Sequence, residues 1–257
     1  MKNNQQSTIN NQLPKHIAMI MDGNRRWAAS QGLGAVDGHR AAAEQAIEPI
    51  VERAAELGIK YLTFWAFSTE NWKRDKEELE GLFGVFRDVL GKKIDRLHEK
   101  GVRVQILGDV TKFPPDIAKK ALEGVKMTAQ NDKITVNFAL NYGGRPEILE
   151  AVKQILKDNI PAEGLTEEVF SSYLYTAGMP DPDLVIRTGG EKRISGFMPW
   201  QAVYAELYFT PVLWPDFTPL EFDKAIEDFV SRTRRFGGGK FKAYKQKLMI
   251  AVGKQLA

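Results

Sequence analysis

Apolar and polar positions along this chain follow two alternating periods. Short runs rich in β-branched and aromatic residues are separated by longer stretches in which apolar residues recur every three or four positions. This alternation predicts an α/β fold with a mainly parallel six-stranded sheet flanked by helices. The predicted strands cover 16–21, 61–67, 102–107, 134–140, 183–187 and 206–209, and the predicted helices cover 40–57, 76–99, 115–130, 146–156, 166–175 and 219–232.

Length and composition favour one domain. With 257 residues and 43% hydrophobic content, the chain can bury a sizeable core, and no Gly/Ser/Pro linker divides it. We expect a disordered polar tail over 1–14, one folded domain over 15–240 and a C-terminal extension over 241–257.

Charge and cysteine content exclude several classes of partner and chemistry. The formal net charge of +3 is mild and dispersed, so we expect no nucleic-acid partner. The absence of cysteine excludes disulfides, thiolate zinc sites and a cysteine nucleophile, and it fits a cytoplasmic protein. The polar start lacks the apolar core of a signal peptide, and no apolar run approaches the ~18 residues that a spanning helix needs. Any membrane contact is expected to be peripheral.

The predicted helix over 76–99 is unusually long, about 36 Å at 1.5 Å per residue. It carries an apolar stripe that includes Leu79, Leu82, Phe83 and Phe86. A stripe of this kind normally faces the core. A wall for a long apolar ligand is the alternative.

Polar and basic groups follow the first strand, in the segment from Asp22 to Trp27. Ligands of parallel sheets bind at the carboxyl ends of strands. Asp22 supplies an oxygen ligand of the kind Mg²⁺ takes together with substrate phosphates. Gly23 and Arg26 would suit a phosphate held at the start of a helix. Taken alone, however, Asp-Gly-Asn is common turn chemistry.

Three later segments repeat this combination of glycines, polar groups and arginines. Phe67–Arg74 follows the second strand, where function and a plain turn are equally good explanations. Arg187–Ser195 follows the fifth strand, and its glycine pair between arginines suits a phosphate group better than a plain loop. The segment 234–239, Arg-Arg-Phe-Gly-Gly-Gly, is by itself better explained by a helix end with a glycine cap.

Familiar nucleotide and metal motifs do not occur. There is no P-loop, and Asp37 stands where a dinucleotide-binding glycine motif needs its third glycine. Ile20 stands where an aspartyl phosphatase of the haloacid dehalogenase type needs its nucleophile. His16, His39 and His98 show no metal-ligand spacing.

Read together, five ordered motifs resemble the undecaprenyl diphosphate synthase family of cis-prenyltransferases. They are the segment from His16 to Trp27, Phe-Ser-x-x-Asn-Trp-x-Arg at 67–74, Asn-Tyr-Gly-Gly-Arg at 141–145, Arg-Thr-Gly-Gly-Glu-x-Arg-Ile-Ser at 187–195, and Trp-x-x-x-Tyr-Ala-Glu-Leu at 200–207. The chain also lacks the D-D-x-x-D motif of trans-prenyltransferases. The match runs from about His16 to Gly238.

The resemblance implies an enzyme that joins isopentenyl diphosphate to an allylic diphosphate such as farnesyl diphosphate, with Mg²⁺ as cofactor, and makes a polyprenyl diphosphate of undecaprenyl type. It implies a homodimer and a hydrophobic tunnel for the growing chain. The implied catalytic residues are Asp22, Ser68 and Asn71, the metal ligands are Asp22 and Glu206, and the tunnel residues are Ala66, Leu82 and Phe86. The implied substrate-binding residues are Gly23, Asn24, Arg25, Arg26, Trp27, His39, Trp72, Arg74, Arg187, Arg193, Ser195 and Arg235.

Two positions depart from the family pattern. Arg25 stands where many bacterial members have glycine, and Ala35 stands where members usually have an arginine that grips the allylic diphosphate. Some relatives are partner subunits that lack the catalytic aspartate, so a non-catalytic subunit of a heteromeric prenyltransferase is one alternative. A phosphate-binding regulatory module is another. The presence of Asp22 favours the enzyme.

Overall fold

A computed structural model of the chain describes residues 13–232, apart from the side chain of Lys92. Six strands form one sheet in the order β3-β4-β2-β1-β5-β6, and every neighbouring pair is parallel. This confirms the predicted α/β fold. The strands are β1 (His16–Ile20), β2 (Tyr61–Ser68), β3 (Val102–Leu107), β4 (Ile134–Tyr142), β5 (Leu184–Arg187) and β6 (Glu206–Phe209).

Eight α-helices cover the sheet within residues 13–232, joined in places by short 3₁₀ turns. None of them is long and apolar enough to cross a membrane. The helices are α1 (Asn24–Ser30), α2 (Ala35–Gln45), α3 (Ile47–Glu56), α4 (Lys76–Glu99), α5 (Pro115–Met127), α6 (Gly144–Lys157), α7 (Glu167–Ser171) and α8 (Pro219–Ser231).

The predicted elements differ from these in three places. The single helix expected over 40–57 is two helices, because the chain breaks at Ala46, and the first of them begins five residues earlier, at Ala35. Helix α1 was missed because two turns are too short to show a helical period. The helix expected over 166–175 is only five residues long.

The central strands are buried on both faces, which explains their continuous apolar sequences. All five residues of β1 and all four of β5 are buried. One core cluster lies on one side of the sheet around Ile17, Met19 and Phe64, while Ala18 and Ile20 belong to a second cluster on the other side.

Helices α2 and α4 pack closely at one point and enclose a space behind it. A Cβ on Gly81 of α4 would lie 2.4 Å from Val36 Cγ2 of α2, so glycine is required for this approach. A third apolar cluster, with Phe67, Leu82 and Phe113, lies under the first half of α4. The two helices thus stand beside the carboxyl ends of β1 and β2, where the predicted site residues lie.

Candidate active site

Three of the predicted motifs meet at one edge of the sheet. Strands β2, β1 and β5 are adjacent and parallel, so their carboxyl ends lie side by side. Ser68 ends β2, Asp22 follows β1, and Arg187 ends β5 opposite Ile20. The sheet order therefore brings together side chains that are far apart in the sequence.

Asp22 and Arg187 form the centre of this edge. Arg187 is only 5% exposed, and its Nη2 donates to Asp22 Oδ2 at 2.8 Å. Its Nη1 donates to Ser195 Oγ at 2.8 Å and to the carbonyl of Arg193, while its Nε is buried with no hydrogen-bond partner among the described residues. An arginine predicted to bind substrate is thus paired here with the predicted metal ligand.

The backbone around Asp22 is fixed by its neighbours on β5. Thr188 Oγ1 accepts from the Asp22 N–H at 2.9 Å and donates to the Asp22 carbonyl at 2.7 Å. Gly189 has φ +80°, and a Cβ there would lie 2.5 Å from Arg26 Nη2. A side chain at residue 189 would therefore displace the Arg26 guanidinium, whose Nη2 lies 3.5 Å from Asp22 Oδ1.

His39 lies between two nitrogen donors. Its Nε2 is 3.2 Å from Arg74 Nη1, and its Nδ1 is 3.2 Å from Asn24 Nδ2. Burial, and after it the positive charges of Arg74 and Arg25, lower the pKa of His39 from 6.5 to about 4. The ring is therefore neutral at pH 7, and Nε2 is the nitrogen that accepts from Arg74.

The Asn24 amide fits this tautomer in its flipped orientation. As assigned, Asn24 Oδ1 is buried without a hydrogen-bond partner among the described residues, while Nδ2 faces His39 Nδ1. A 180° rotation of the amide exchanges its oxygen and nitrogen and lets Oδ1 accept from the Nδ1–H of His39. His39 then positions both Asn24 and Arg74.

Arg25 lies in the same corner as Arg74. Glu78 Oε1 accepts from Arg74 Nη1 at 2.8 Å and lies 3.9 Å from Arg25 Nε. The Arg25 side chain is 65% exposed, so most of it is free to reorient. A guanidinium is thus present near His39 even though residue 35, the first of α2, is alanine.

Ser68 and Asn71 face each other across one turn. Asn71 Oδ1 accepts from the Ser68 N–H at 2.9 Å at the start of the 3₁₀ turn Thr69–Lys73. Neither an amide nor a hydroxyl is a strong base at neutral pH. These two residues can orient a ligand, but the arrangement gives neither the environment of a general base.

The two tryptophans predicted to bind substrate make hydrogen bonds within the scaffold. Trp27 Nε1 donates to Asp216 Oδ1 at 2.8 Å and ties α1 to the loop after β6. Trp72 Nε1 donates to Asn141 Oδ1 at 2.8 Å, and its ring lies 5.0 Å from that of Phe67. Neither side chain lines the cavity described next.

A cavity of about 390 Å³ opens at this edge of the sheet and continues between α2, α4 and the strands. Its mouth is polar and its interior is apolar. Ala66, Leu82 and Phe86, the three predicted tunnel residues, all line the interior. The polar residues at the mouth are Asp22, Asn24, His39, Ser68, Glu70, Asn71, Arg74, Arg187 and Ser195.

Three predicted site residues lie elsewhere. Glu206 pairs in register with Leu184, at the opposite end of the strands from Asp22, and its Oε2 accepts from Arg232 at 2.9 Å. Within one chain the two carboxylates therefore cannot share an ion, and the metal role predicted for Glu206 would require a second chain. Arg193 turns its exposed side chain toward Glu191. Arg235 lies outside the described residues.

No cluster of three or more histidine or acidic side chains suited to a metal occurs in residues 13–232. Asp22 is thus one of two carboxylates at the mouth, together with Glu70. Such a donor matches Mg²⁺ that takes its remaining ligands from substrate phosphates and water.

The sequence did not reveal three residues of this site. Glu78 holds Arg74, and only its i,i+4 spacing could have indicated this contact. Thr188 fixes the Asp22 backbone through a contact that depends on the strand order. Lys93 lines the inner end of the cavity, although in the sequence it resembles any charged residue on the outer face of a helix.

Comparison with known proteins gives consistent matches over most of the chain. The prenyltransferase family model for undecaprenyl diphosphate synthases matches residues 20–237. The chain is 50% identical to an isoprenyl transferase of Thermotoga maritima over 88% of this chain and 97% of the relative. It is 46% identical to one of Clostridium perfringens over 90% and 92% of the two chains.

Two solved structures share the fold. Lavandulyl diphosphate synthase from Lavandula x intermedia, in complex with dimethylallyl diphosphate, has a TM-score of 0.85 and 32% identity over 88% of this chain and 99% of that chain. A probable undecaprenyl diphosphate synthase from Campylobacter jejuni has a TM-score of 0.72 and 32% identity over 87% and 98% of the two chains.

Proposed function

Because the chain belongs to the undecaprenyl diphosphate synthase family and is an enzyme that transfers prenyl groups, we propose that it is a magnesium-dependent cis-prenyltransferase. It condenses isopentenyl diphosphate with an allylic prenyl diphosphate and makes a polyprenyl diphosphate. The observation that carries this proposal is the continuity of the polar mouth with the apolar cavity. One end suits a diphosphate and the other a hydrocarbon chain.

The allylic primer would place its diphosphate at the mouth and its chain in the cavity. Arg74 lines the mouth, and Arg26 Nη2 lies 3.5 Å from Asp22 Oδ1. The exposed Arg25 side chain lies near Arg74, because both approach Glu78. Burial of the chain contributes about 0.8 kcal/mol per CH₂ group, which favours elongation for as long as the cavity has room. His39 supports this site by orienting Arg74 and Asn24.

Asp22 is the residue that would hold Mg²⁺, whose charge would neutralise the departing pyrophosphate. Its Oδ1 is held only weakly by Arg26, at 3.5 Å, while Oδ2 is taken by Arg187. The carboxylate thus retains one available oxygen at the mouth.

Arg187 and Ser195 would hold isopentenyl diphosphate. The guanidinium already contacts Ser195 Oγ, and its buried Nε–H, which has no hydrogen-bond partner within residues 13–232, is available to donate to a bound anion. Arg193 can join them by a rotation of its exposed side chain away from Glu191. Bidentate arginine pairing gives diphosphate both charge and geometry.

The reaction breaks a C–O bond and a C–H bond, forms a C–C bond and shifts a double bond. The allylic C–O bond breaks with its electron pair moving to the diphosphate, the double bond of isopentenyl diphosphate attacks the allylic carbon, and one proton leaves the resulting carbocation. Ser68 and Asn71 would orient the reacting double bond. Because neither is a strong base, the departing pyrophosphate is the better acceptor for the proton.

The product assay tests this proposal directly. Purified protein is incubated with labelled isopentenyl diphosphate, several allylic diphosphates and Mg²⁺, and product chain lengths are measured. We expect polyprenyl diphosphates that depend on Mg²⁺. Asp22→Asn keeps an oxygen for Arg187, and we expect it to fold normally but to lose activity by at least about 100-fold. A wild-type protein that forms product only after a second subunit is added would instead be the partner subunit of a heteromeric enzyme.

A further inference from the structure

Lys93 is a charged residue in the wall of an otherwise apolar space. It projects from α4 near the inner end of the cavity, among Ile94, Val89 and Leu97. The side chain is half-buried, and burial lowers the pKa of its ammonium group, although the carboxylates of Glu48 and Glu44 oppose this effect. A charge in this position requires specific hydrogen-bond partners.

The end of α2 supplies those partners. The Lys93 ammonium donates to the carbonyl of Ala43 at 2.7 Å and to that of Glu44 at 2.8 Å. Carbonyls in the last turn of a helix lack partners within the helix and carry its negative end. Since α2 ends at Gln45, Lys93 caps this terminus and ties α2 to α4 at the depth of the cavity.

This tie separates two spaces. On its outer side, α2 and α4 form a second, polar groove of about 380 Å³ that also contains Arg40, Asp88 and Arg96. Ala43, Val85, Val89 and Lys93 line both the cavity and the groove. They are therefore the partition between the apolar interior and the outer face of the helix pair.

The partition lies well below the mouth. Glu78, which holds Arg74, and Lys93 are fifteen residues apart on α4, or roughly 22 Å along its axis. A prenyl chain whose diphosphate is at the mouth would approach Lys93 as it grows. To pass between the helices it would have to displace the ammonium from two carbonyls and leave the charge against hydrocarbon.

We propose that Lys93 determines product length, because its bonds to α2 close the side of the cavity and stop the growing chain. This inference rests on the proposed function. Loss of the ammonium would join the cavity to the outer groove and give the chain a path between α2 and α4. Arginine at this position would retain a charged donor for the same carbonyls.

The test compares product lengths under matched enzyme and substrate concentrations, with farnesyl diphosphate and labelled isopentenyl diphosphate. We expect Lys93→Ala and Lys93→Met to make products longer by at least one isoprene unit, and Lys93→Arg to retain the wild-type length. Lys93→Met keeps most of the side-chain volume, so it also provides a test if Lys93→Ala does not fold. Asp88→Ala is the matched control, because it removes the Arg40–Asp88 ion pair between the same helices outside the cavity.

The outcomes separate this inference from the function on which it rests. Active wild-type protein with unchanged product length in Lys93→Met would overturn the role of Lys93 alone. Equal lengthening in Asp88→Ala would also overturn it, since general loosening of the helix pair would then be sufficient. Absence of any polyprenyl product from the wild type would contradict the proposed function itself.

Discussion

The neutral state of His39 leads to a prediction about pH. Its pKa is lowered from 6.5 to about 4, first by burial and then by Arg74 and Arg25. Below pH 6.5 the unfolded chain takes up a proton at this residue, whereas the folded chain does not until the pH approaches 4. The free energy of unfolding is therefore unaffected by His39 above pH 6.5, and it decreases as the pH falls from 6.5 toward 4.

The size of the effect follows from the pKa values. Each pKa unit corresponds to about 1.4 kcal/mol, so the difference amounts to at most about 3 kcal/mol. Between pH 8 and pH 5 the loss would be about 1 to 2 kcal/mol, once screening by water at the partly exposed ring is allowed for. His16, whose pKa burial also lowers to about 4, contributes a similar loss.

The variant His39→Gln isolates the contribution of His39 to the pH-dependent loss of stability. Glutamine cannot titrate, yet its amide oxygen can accept from Arg74. Urea unfolding followed by tryptophan fluorescence at pH 8, 6 and 5 gives the free energy of unfolding for each protein. We expect the variant to lose about 1 to 2 kcal/mol less than the wild type between pH 8 and pH 5.

Two further measurements make the test specific. His16→Gln should reduce the pH dependence of stability in the same way without weakening the binding of inorganic pyrophosphate, because His16 bonds to Thr63 and Pro180 away from the mouth. An NMR titration should show the His39 ring neutral down to about pH 5. Equal losses of stability in wild type and His39→Gln, or a His39 pKa near 6.5, would refute the conclusion that His39 is neutral and hydrogen-bonded through both ring nitrogens.

Three other predictions address primer, product and assembly. If Arg25 replaces the arginine that is absent at Ala35, Arg25→Gly should weaken binding of the allylic primer by roughly 10-fold to 100-fold and leave isopentenyl diphosphate binding nearly unchanged. Calorimetry measures both affinities, and equal effects on the two substrates would argue against this replacement. Ala66→Leu should shorten the products, because Ala66 lines the cavity; unchanged products with about 1 to 3 kcal/mol of lost stability would show that it only packs the core. Sedimentation should give a homodimer of about twice the 28.9 kDa chain mass. Tyr204, a large side chain beside edge strand β6, is 70% exposed in the single chain, and a second chain would cover it. A fully active monomer would exclude the homodimer.

Local sequence patterns are sufficient to predict the strands, the longest helix and the edge of the sheet where the candidate site lies. Hydrophobic periodicity located all six strands and the full extent of α4, because strand and helix periods depend only on local spacing. It also placed Asp22, Ser68 and Arg187 just after strands, and a parallel sheet then requires them to lie on one edge.

The contacts between the side chains of the site depend on the tertiary structure. The pairing of Arg187 with Asp22 depends on the placement of β5 beside β1, 165 residues apart in sequence. The separation of Glu206 from Asp22 depends on the direction of β6, because Glu206 begins a strand that runs parallel to β5. Lys93 closes the cavity only because α2 ends at Gln45 opposite it. Such contacts join residues distant in the chain, so they arise from packing and strand order rather than from the local preferences that a sequence displays.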